Sequence, residues 1–310
     1  MDVPVKDYTI GKNTSLSDLG KQYFDAGGFV AKKVGVAIDI MKQMTSEKDA
    51  VNFLSFPAAT VSTGTRGIFV QLLKKKLFHI VMTTCGTLDH DFARVYVDYY
   101  HGSFDADDKE LHKKNIHRLG NIFIPNKHYG DIIEQKLQPM LQDMYDKGVR
   151  ELATHEFVWE LGKRLEQEPK KEESIIYWCY KNQIPMIIPG ITDGAFGIQL
   201  TMFMQDHKDF KIDVFKDEQF LIGKLFGKIT TGALMIGGGI SKHHTIWWNQ
   251  WCDGLDYAVY ITTAPEWDGS LSGARLKEGI SWDKVNENAR YMTVEGDATV
   301  LLPLIVGPLL

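Results

Sequence analysis

The chain has 310 residues, with 44% hydrophobic and 24% charged positions and a formal net charge of -5. That balance is ordinary for a globular protein and argues against a dedicated nucleic-acid binder, which normally carries a basic face. The three cysteines, Cys85, Cys179 and Cys252, are scattered, which excludes a disulfide scaffold or cysteine-rich zinc site and favours a reducing compartment. The first residues, 1–17, lack an apolar segment, and no apolar run is long enough to span a bilayer. The expectation is a cytoplasmic protein with no membrane or nucleic-acid partner and no metal.

In chain order, residues 27–44 place Val30, Val34, Ala37, Ile38, Ile40 and Met41 at helical spacing. Residues 52–56 read as a short strand that runs into the small-residue turn 58–64. A helix over 67–74 and a buried strand over 77–83 follow, the strand ending in Thr84-Cys-Gly86. Residues 101–130 interrupt this rhythm and read as a charged, solvated loop. Asp105, Asp107 and Asp108 resemble part of a calcium loop, but the glycine and terminal glutamate are out of register. Helices are expected over 132–146, 151–167 and 175–182, with a charged connector at 168–173. Strands are expected at 185–189, 232–236 and 257–261, closed by the turns 190–194, 237–239 and 262–264, with a helix over 244–252. Strand, turn, helix and strand in alternation are the pattern of a parallel α/β sheet with flanking helices. One large domain is expected over 1–310, with a helical part at 1–50 and an α/β core at 51–310.

Several of these strands end in small or polar residues: Ser62 and Gly64, Thr84 and Gly86, Asp193 and Gly194, Gly237 to Gly239, Thr263 and Ala264. Ligands of open parallel sheets bind outside the carboxyl ends of the strands, where glycine lets backbone approach a phosphate. Each turn alone is explained as well by steric need; five in one chain are more informative. No G-x-G-x-x-G fingerprint is present, so an ordinary Rossmann dehydrogenase is not supported. Lys284 follows Trp282 by two residues and precedes the apolar run 300–310. Taken alone it is one more solvated lysine, but an amine desolvated beside an indole can lose its proton and attack a carbonyl or imine carbon. The adjacent His243 and His244 point in different directions on a helix, which disfavours joint metal ligation, while one of them can move protons near neutral pH.

Four segments together carry a resemblance: Gly237-Gly-Gly-Ile-Ser-Lys-His-His244, Asp256-Tyr-Ala-Val-Tyr-Ile-Thr-Thr-Ala264, Asp268-Gly-Ser-Leu-Ser-Gly-Ala-Arg275 and Ile280-Ser-Trp-Asp-Lys284. They resemble the deoxyhypusine synthase family, in the style of an archaeal-type branch. The similarity extends to Asp297-Ala298 and back through Ile191-Thr-Asp-Gly194, Arg118 to Asn126, Thr83 to Gly86 and Ser62 to Arg66, nearly the whole chain in order. The resemblance implies a Rossmann-like NAD-binding fold and an aminobutyl transferase. The family oxidises spermidine with bound NAD, holds the aminobutyl group as an imine on a lysine, and passes it to one lysine of the hypusine-bearing translation factor. It implies Lys284 as the imine-forming nucleophile, His243 beside the polyamine and Trp282 as a wall of its channel. Cofactor contacts would fall on Ser62, Thr84, Cys85, Gly86, Asp193, Gly238, Thr263, Ala264, Asp297 and Ala298. Substrate contacts would fall on Asp89, His90, Gly269, Ser270, Glu278 and Trp282. The family's site lies between subunits of a tetramer, so a homotetramer is implied.

Three positions depart from well-studied eukaryotic members, where His90, Ile198 and Leu271 replace carboxylates that grip polyamine amines. Losing a buried counter-ion costs several kcal/mol unless something replaces it. Asp89, Asp91, Glu266 and Glu278 are candidates for that replacement. Two other functions remain in view: aminobutyl transfer to putrescine, as in homospermidine synthase, and an NAD-binding paralogue without catalysis that serves as a scaffold or regulatory subunit. Asp283 stands beside Lys284, where an approaching carboxylate would favour the ammonium form.

Overall fold

The structure, a computed structural model, describes residues 3–310. The chain falls into two compact units. The first takes the chain to Phe56, then Leu77–Met82 and Leu221–Leu310; the second takes Pro57–Lys76 and Thr83–Phe220.

The first unit is built on five parallel strands: β1 (Val51–Ser55), β2 (Ile80–Met82), β3 (Thr231–Ile236), β4 (Leu255–Thr262) and β5 (Val285–Glu295). Their order is β5-β4-β3-β1-β2, all neighbours parallel. β2 and β3 are buried at every residue and β1 at all but its first. Such unbroken burial, without alternation, means that elements cover both faces of the strands. The helix Phe29–Ser46 packs on β5 and β4, Ala298–Val306 packs on that helix and on β4, and Gly239–Asn249 packs on β1, β2 and β3. Gly35 lets the helix Leu16–Ala26 cross closely, because a Cβ there would lie 2.5 Å from the Phe24 amide nitrogen.

The expected strands at 52–56, 77–83, 232–236 and 257–261 all appear. Helix 244–252 instead starts at Gly239 and ends at Asn249, followed by a tight turn. Several elements escaped the sequence reading, among them the helices Leu16–Ala26, Cys85–Tyr96, Ala195–Asp206 and Ala298–Val306 and the strand β5. Leu16–Ala26 is announced only by the Ser15–Asp18 capping box. The strand β5 begins Val-Asn-Glu-Asn, polar because it forms the outer strand of this set.

The second unit carries the helices Thr65–Lys74, Cys85–Tyr96, Gly130–Asp146, Thr154–Arg164, Ile175–Lys181 and Ala195–Asp206. The stretch 101–130 is not a loop. It forms a short helix, Asp108–Lys113, and a three-stranded antiparallel sheet of Tyr100–His101, Ile122–Pro125 and Ile116–Leu119. Strands of two to four residues are too short to show a period. The aspartate cluster read against a calcium loop caps instead: the Asp107 carboxylate accepts from the Lys109 and Glu110 amides. Residues 151–167 open as a two-residue strand, Glu151–Leu152, before the helix starts at Thr154.

Three buried aspartates cap helices across long sequence separations. Asp91 accepts from Ile175 N (3.0 Å), Ile176 N (2.9 Å), Ser174 Oγ (2.7 Å) and Arg66 Nε (2.7 Å). Asp89 accepts from Ala195 N (3.0 Å), Phe196 N (2.9 Å) and the Tyr129 hydroxyl (2.6 Å). Asp217 accepts from Thr154 N (2.8 Å) and pairs with His155 Nδ1 at 2.6 Å. Each carboxylate meets the unpaired N–H groups and positive end of a helix, which repays much of its lost hydration.

Candidate active site

Lys284 is set by backbone geometry. The turn Leu276–Trp282 ends at Asp283, whose left-handed φ of 56° reverses the chain. The Lys284 amide then donates to the Gly279 carbonyl at 2.9 Å, its carbonyl accepts from Leu255 N at 3.2 Å, and β5 starts at the next residue. Lys284 is 8% exposed. Its ammonium sits 5.1 Å from the centre of the Trp282 ring and 5.3 Å from that of Trp247. Both indoles are themselves partly exposed, Trp282 at 62% and Trp247 at 41%. Among the described residues no carboxylate forms an ion pair with Lys284, Asp283 included.

The amine faces a cavity of about 340 Å³ lined by His243, Trp247, Leu271, Ala274, Glu278 and Trp282, with Lys242 and Arg275 at its wall. His243 lies almost parallel to Trp247, four residues on, with ring centres 5.7 Å apart. Partial burial and, secondarily, the charge of Lys284 hold its pKa below the usual histidine range, so the ring is neutral and can accept a proton at neutral pH. Of the four carboxylates considered as replacements, Glu278 is the one that lines this cavity. Glu266 pairs with Arg275 at 3.2 Å, and Asp89 and Asp91 are engaged as helix caps.

Leu271 and Ala274 belong to a wall that is tied down at several points. Lys242 donates to the carbonyls of Leu271 (2.8 Å) and Ala274 (2.6 Å), while the hydroxyls of Tyr260 (2.6 Å) and Thr262 (2.9 Å) donate to the Ser272 carbonyl. Gly238 permits this closeness, since a Cβ there would lie 2.1 Å from Ser272 Oγ. Gly269 and Ser270 stand in the preceding turn, where Ser270 N and Oγ both donate to Asp268; they do not line the cavity. Lys242 escaped the sequence reading because a lysine beside two histidines carries no mark of burial.

The remaining residues singled out in the sequence fall into two groups, described separately. In the first unit Gly238, Thr263, Ala264, Asp297 and Ala298 lie at the carboxyl ends of β3, β4 and β5, where the helices Gly239–Asn249 and Ala298–Val306 begin. Gly237 and Gly239 have φ of 64° and 77°, and a Cβ on Gly239 would meet nothing within 4 Å. An open glycine turn at a helix start fits the pyrophosphate of a dinucleotide. Asp297 caps its own helix through Thr299 N at 2.8 Å and stays exposed. In the second unit Thr84, Cys85 and Gly86 form the start of the helix Cys85–Tyr96, Ser62 Oγ donates to Ala59 O, and Asp193 is exposed. Burial, reinforced by the Asp89 charge, pushes the Cys85 thiol up to about 12. Burial also raises Asp89 above the usual carboxylate range, against the pull of its hydrogen bonds. His90 pairs through Nδ1 with the Tyr99 hydroxyl at 3.1 Å, and burial takes its pKa down to about 4. It is therefore neutral near pH 7. Ile198 is 60% exposed on the helix Ala195–Asp206.

A parallel α/β sheet with open turns at its strand ends, and a lysine amine held between indoles at a cavity, fit an enzyme with a ligand site at the strand ends. The comparisons make the class specific. A model of the deoxyhypusine synthase family matches residues 18–309. A relative from Picrophilus torridus, named "Probable deoxyhypusine synthase", is 53% identical over 307 residues, covering 99% of this chain and 97% of its own length. One of the same name from Thermoplasma acidophilum is 52% identical with the same coverage. A crystal structure of an Entamoeba histolytica protein of this family shares the fold, with a TM-score of 0.67 and 22% identity over 98% of this chain and 96% of the other. The chain belongs to the deoxyhypusine synthase family and is a transferase.

Proposed function

We propose that the protein transfers the 4-aminobutyl group of spermidine, in an NAD-dependent reaction, to a specific lysine of the hypusine-bearing translation factor. The observation that carries this reading is the Lys284 amine, buried, without a carboxylate partner and flanked by two indoles at a cavity. NAD, when bound, supplies the oxidation of the donor and the later reduction of the product. The residues proposed to hold it at the strand ends of the first unit are Gly238, Thr263, Ala264, Asp297 and Ala298; the family resemblance also implies Ser62, Thr84, Cys85, Gly86 and Asp193 as cofactor residues.

The chain's own residues do the rest. With the donor carbon at the imine level, the Lys284 nitrogen adds to it, losing a proton as it does so, and 1,3-diaminopropane leaves, so the aminobutyl group becomes an imine on Lys284. The faces of Trp247 and Trp282 attract the cationic end of the aliphatic amine, and Glu278 offers it a counter-charge at the cavity edge. The neutral ring of His243 takes up the proton released as the nitrogen attacks. An acceptor lysine then adds to the same carbon and Lys284 leaves as the free amine. Burial of Lys284 at 8% exposure limits hydrolysis of the imine meanwhile.

Exposed large apolar side chains on the first unit support assembly, here the homotetramer that the family resemblance implies as the working form. Ile240, Trp247, Trp251, Phe226 and Trp282 are each more than 40% exposed, and Phe226 stacks on Trp251 at 6.1 Å. Light scattering of the purified protein tests that assembly. The reaction is tested by incubating the enzyme with NAD and spermidine, quenching with borohydride and mapping the adduct by mass spectrometry. An aminobutyl adduct on Lys284 is the expected result; no adduct with any polyamine would sink the proposal.

A further inference from the structure

Lys242 is a buried lysine for which the reaction above has no use. It is 1% exposed, and its ammonium lies 3.9 Å from the centre of the Tyr260 ring while donating to the carbonyls of Leu271 and Ala274. No carboxylate lies within ion-pair distance of it among the described residues. A lysine desolvated without a counter-ion is costly, so its persistence calls for a reason in its surroundings. Burial lowers its pKa to about 8, with Glu278 opposing the fall and Arg275 adding to it, so at neutral pH the amine is mostly charged and binds both carbonyls through charged donors.

Both carbonyls belong to one short segment. Leu271 and Ala274 line the Lys284 cavity, and the carbonyl between them, that of Ser272, is held by Tyr260 and Thr262 of β4. Arg275 closes the segment by donating to Ala264 O (3.0 Å) and Gly273 O (2.9 Å). Neither end of this segment lies in regular structure, so its position depends on these side-chain donors. Lys242 supplies two of them from the first turn of the helix Gly239–Asn249, one residue from His243.

Resting on the reaction proposed above, we infer that Lys242 is a positioning residue for the amine-donor pocket. Its ammonium ties the Leu271–Ala274 wall to the helix that presents His243, and through that wall sets the width of the cleft in front of Lys284. The residue acts on donor binding and leaves the chemistry at Lys284 to Lys284.

The test is Lys242→Met, which keeps the length and apolar stem and removes the ammonium, with Tyr260→Phe as a milder variant loosening the same wall. Hydrogen exchange followed by mass spectrometry should show residues 270–276 exchanging roughly tenfold faster in Lys242→Met while β3 and β4 keep their protection. The KM for spermidine should rise about tenfold with kcat at saturating donor held within about threefold, the signature of lost ground-state positioning. Wild-type exchange across 270–276, or a fall in kcat with KM unchanged, would overturn the inference. If Lys242→Met does not fold, Tyr260→Phe decides: faster exchange in the same segment supports the role, and wild-type exchange overturns it. The exchange measurement needs no donor, so a wild-type enzyme inactive on spermidine would refute the assigned reaction while the positioning role is still judged on exchange.

Discussion

The two units bury charge in opposite ways. In the second, Asp91 is 0% exposed and receives two amides, a hydroxyl and the Arg66 guanidinium; Asp89 and Asp217 are treated alike. In the first, Lys284 and Lys242 are buried without carboxylate partners, one against indole faces and the other against carbonyls. A carboxylate whose lone pairs are filled by helix amides is fixed in place, and it serves as structure. An amine that meets rings and an open cavity stays within reach of a substrate. Satisfaction of the buried charge, more than burial itself, separates scaffold from reagent here.

The comparison is broken most sharply at Lys284. Lys284→Ala should lower turnover by about a thousandfold or more, since the other lysine at the cavity, Lys242, is tied to the Leu271 and Ala274 carbonyls. Lys284→Arg should do the same while keeping the charge, because a guanidinium cannot form the imine. Folding stability, read by urea denaturation, should be close to wild type in both. The mirror experiment is Asp91→Ala, which strands the Arg66 guanidinium at 4% side-chain exposure. It should cost about 3–5 kcal/mol of stability by the same measurement.

Asp217→Asn should cost about 2 kcal/mol, because an amide oxygen still accepts from Thr154 N but no longer matches His155. A pH-dependent contrast follows from His90. Its folded pKa of about 4 lies below the ordinary 6.5, so between these values the unfolded chain binds the proton more readily. The stability tied to its neutral ring is therefore complete above pH 6.5 and is lost as pH falls toward 4. His90→Gln should narrow the drop in Tm between pH 7.5 and pH 5 relative to wild type, and an unchanged drop would contradict this. The smallest effect is expected at Cys85, whose buried thiol with a pKa of about 12 should resist iodoacetamide at pH 8 in the native state and react on unfolding.

Much of the site is legible in the order of residues. The strand ends at 62–64, 84–86, 193–194, 237–239 and 263–264 announce themselves through glycine and small polar residues, and the Trp282–Lys284 spacing points to the lysine that lines the cavity. Less legible were the elements whose signals are short or one-sided. The three-stranded sheet inside 101–130 has strands of two to four residues, and β5 is buried only at Val285 and Val294 and shows no alternation. The roles of Asp89 and Asp91 were hidden for a different reason. The helix starts that they cap are 83 to 107 residues away, so nothing local distinguishes a capping aspartate from one that holds a substrate amine.

Local chemistry therefore determined the parallel α/β rhythm and the open turns at the strand ends, because these depend on near neighbours and on which residues tolerate a tight turn. The three consecutive residues Lys242, His243 and His244 show where that reach stops. A helix turns each by about 100° from the last, and only the packed unit decides which meets the wall carbonyls and which meets Trp247. Lys242 went inward to hold the wall and His243 toward the cleft. Tertiary structure assigned their duties, since a charge becomes structural or reactive according to what surrounds it.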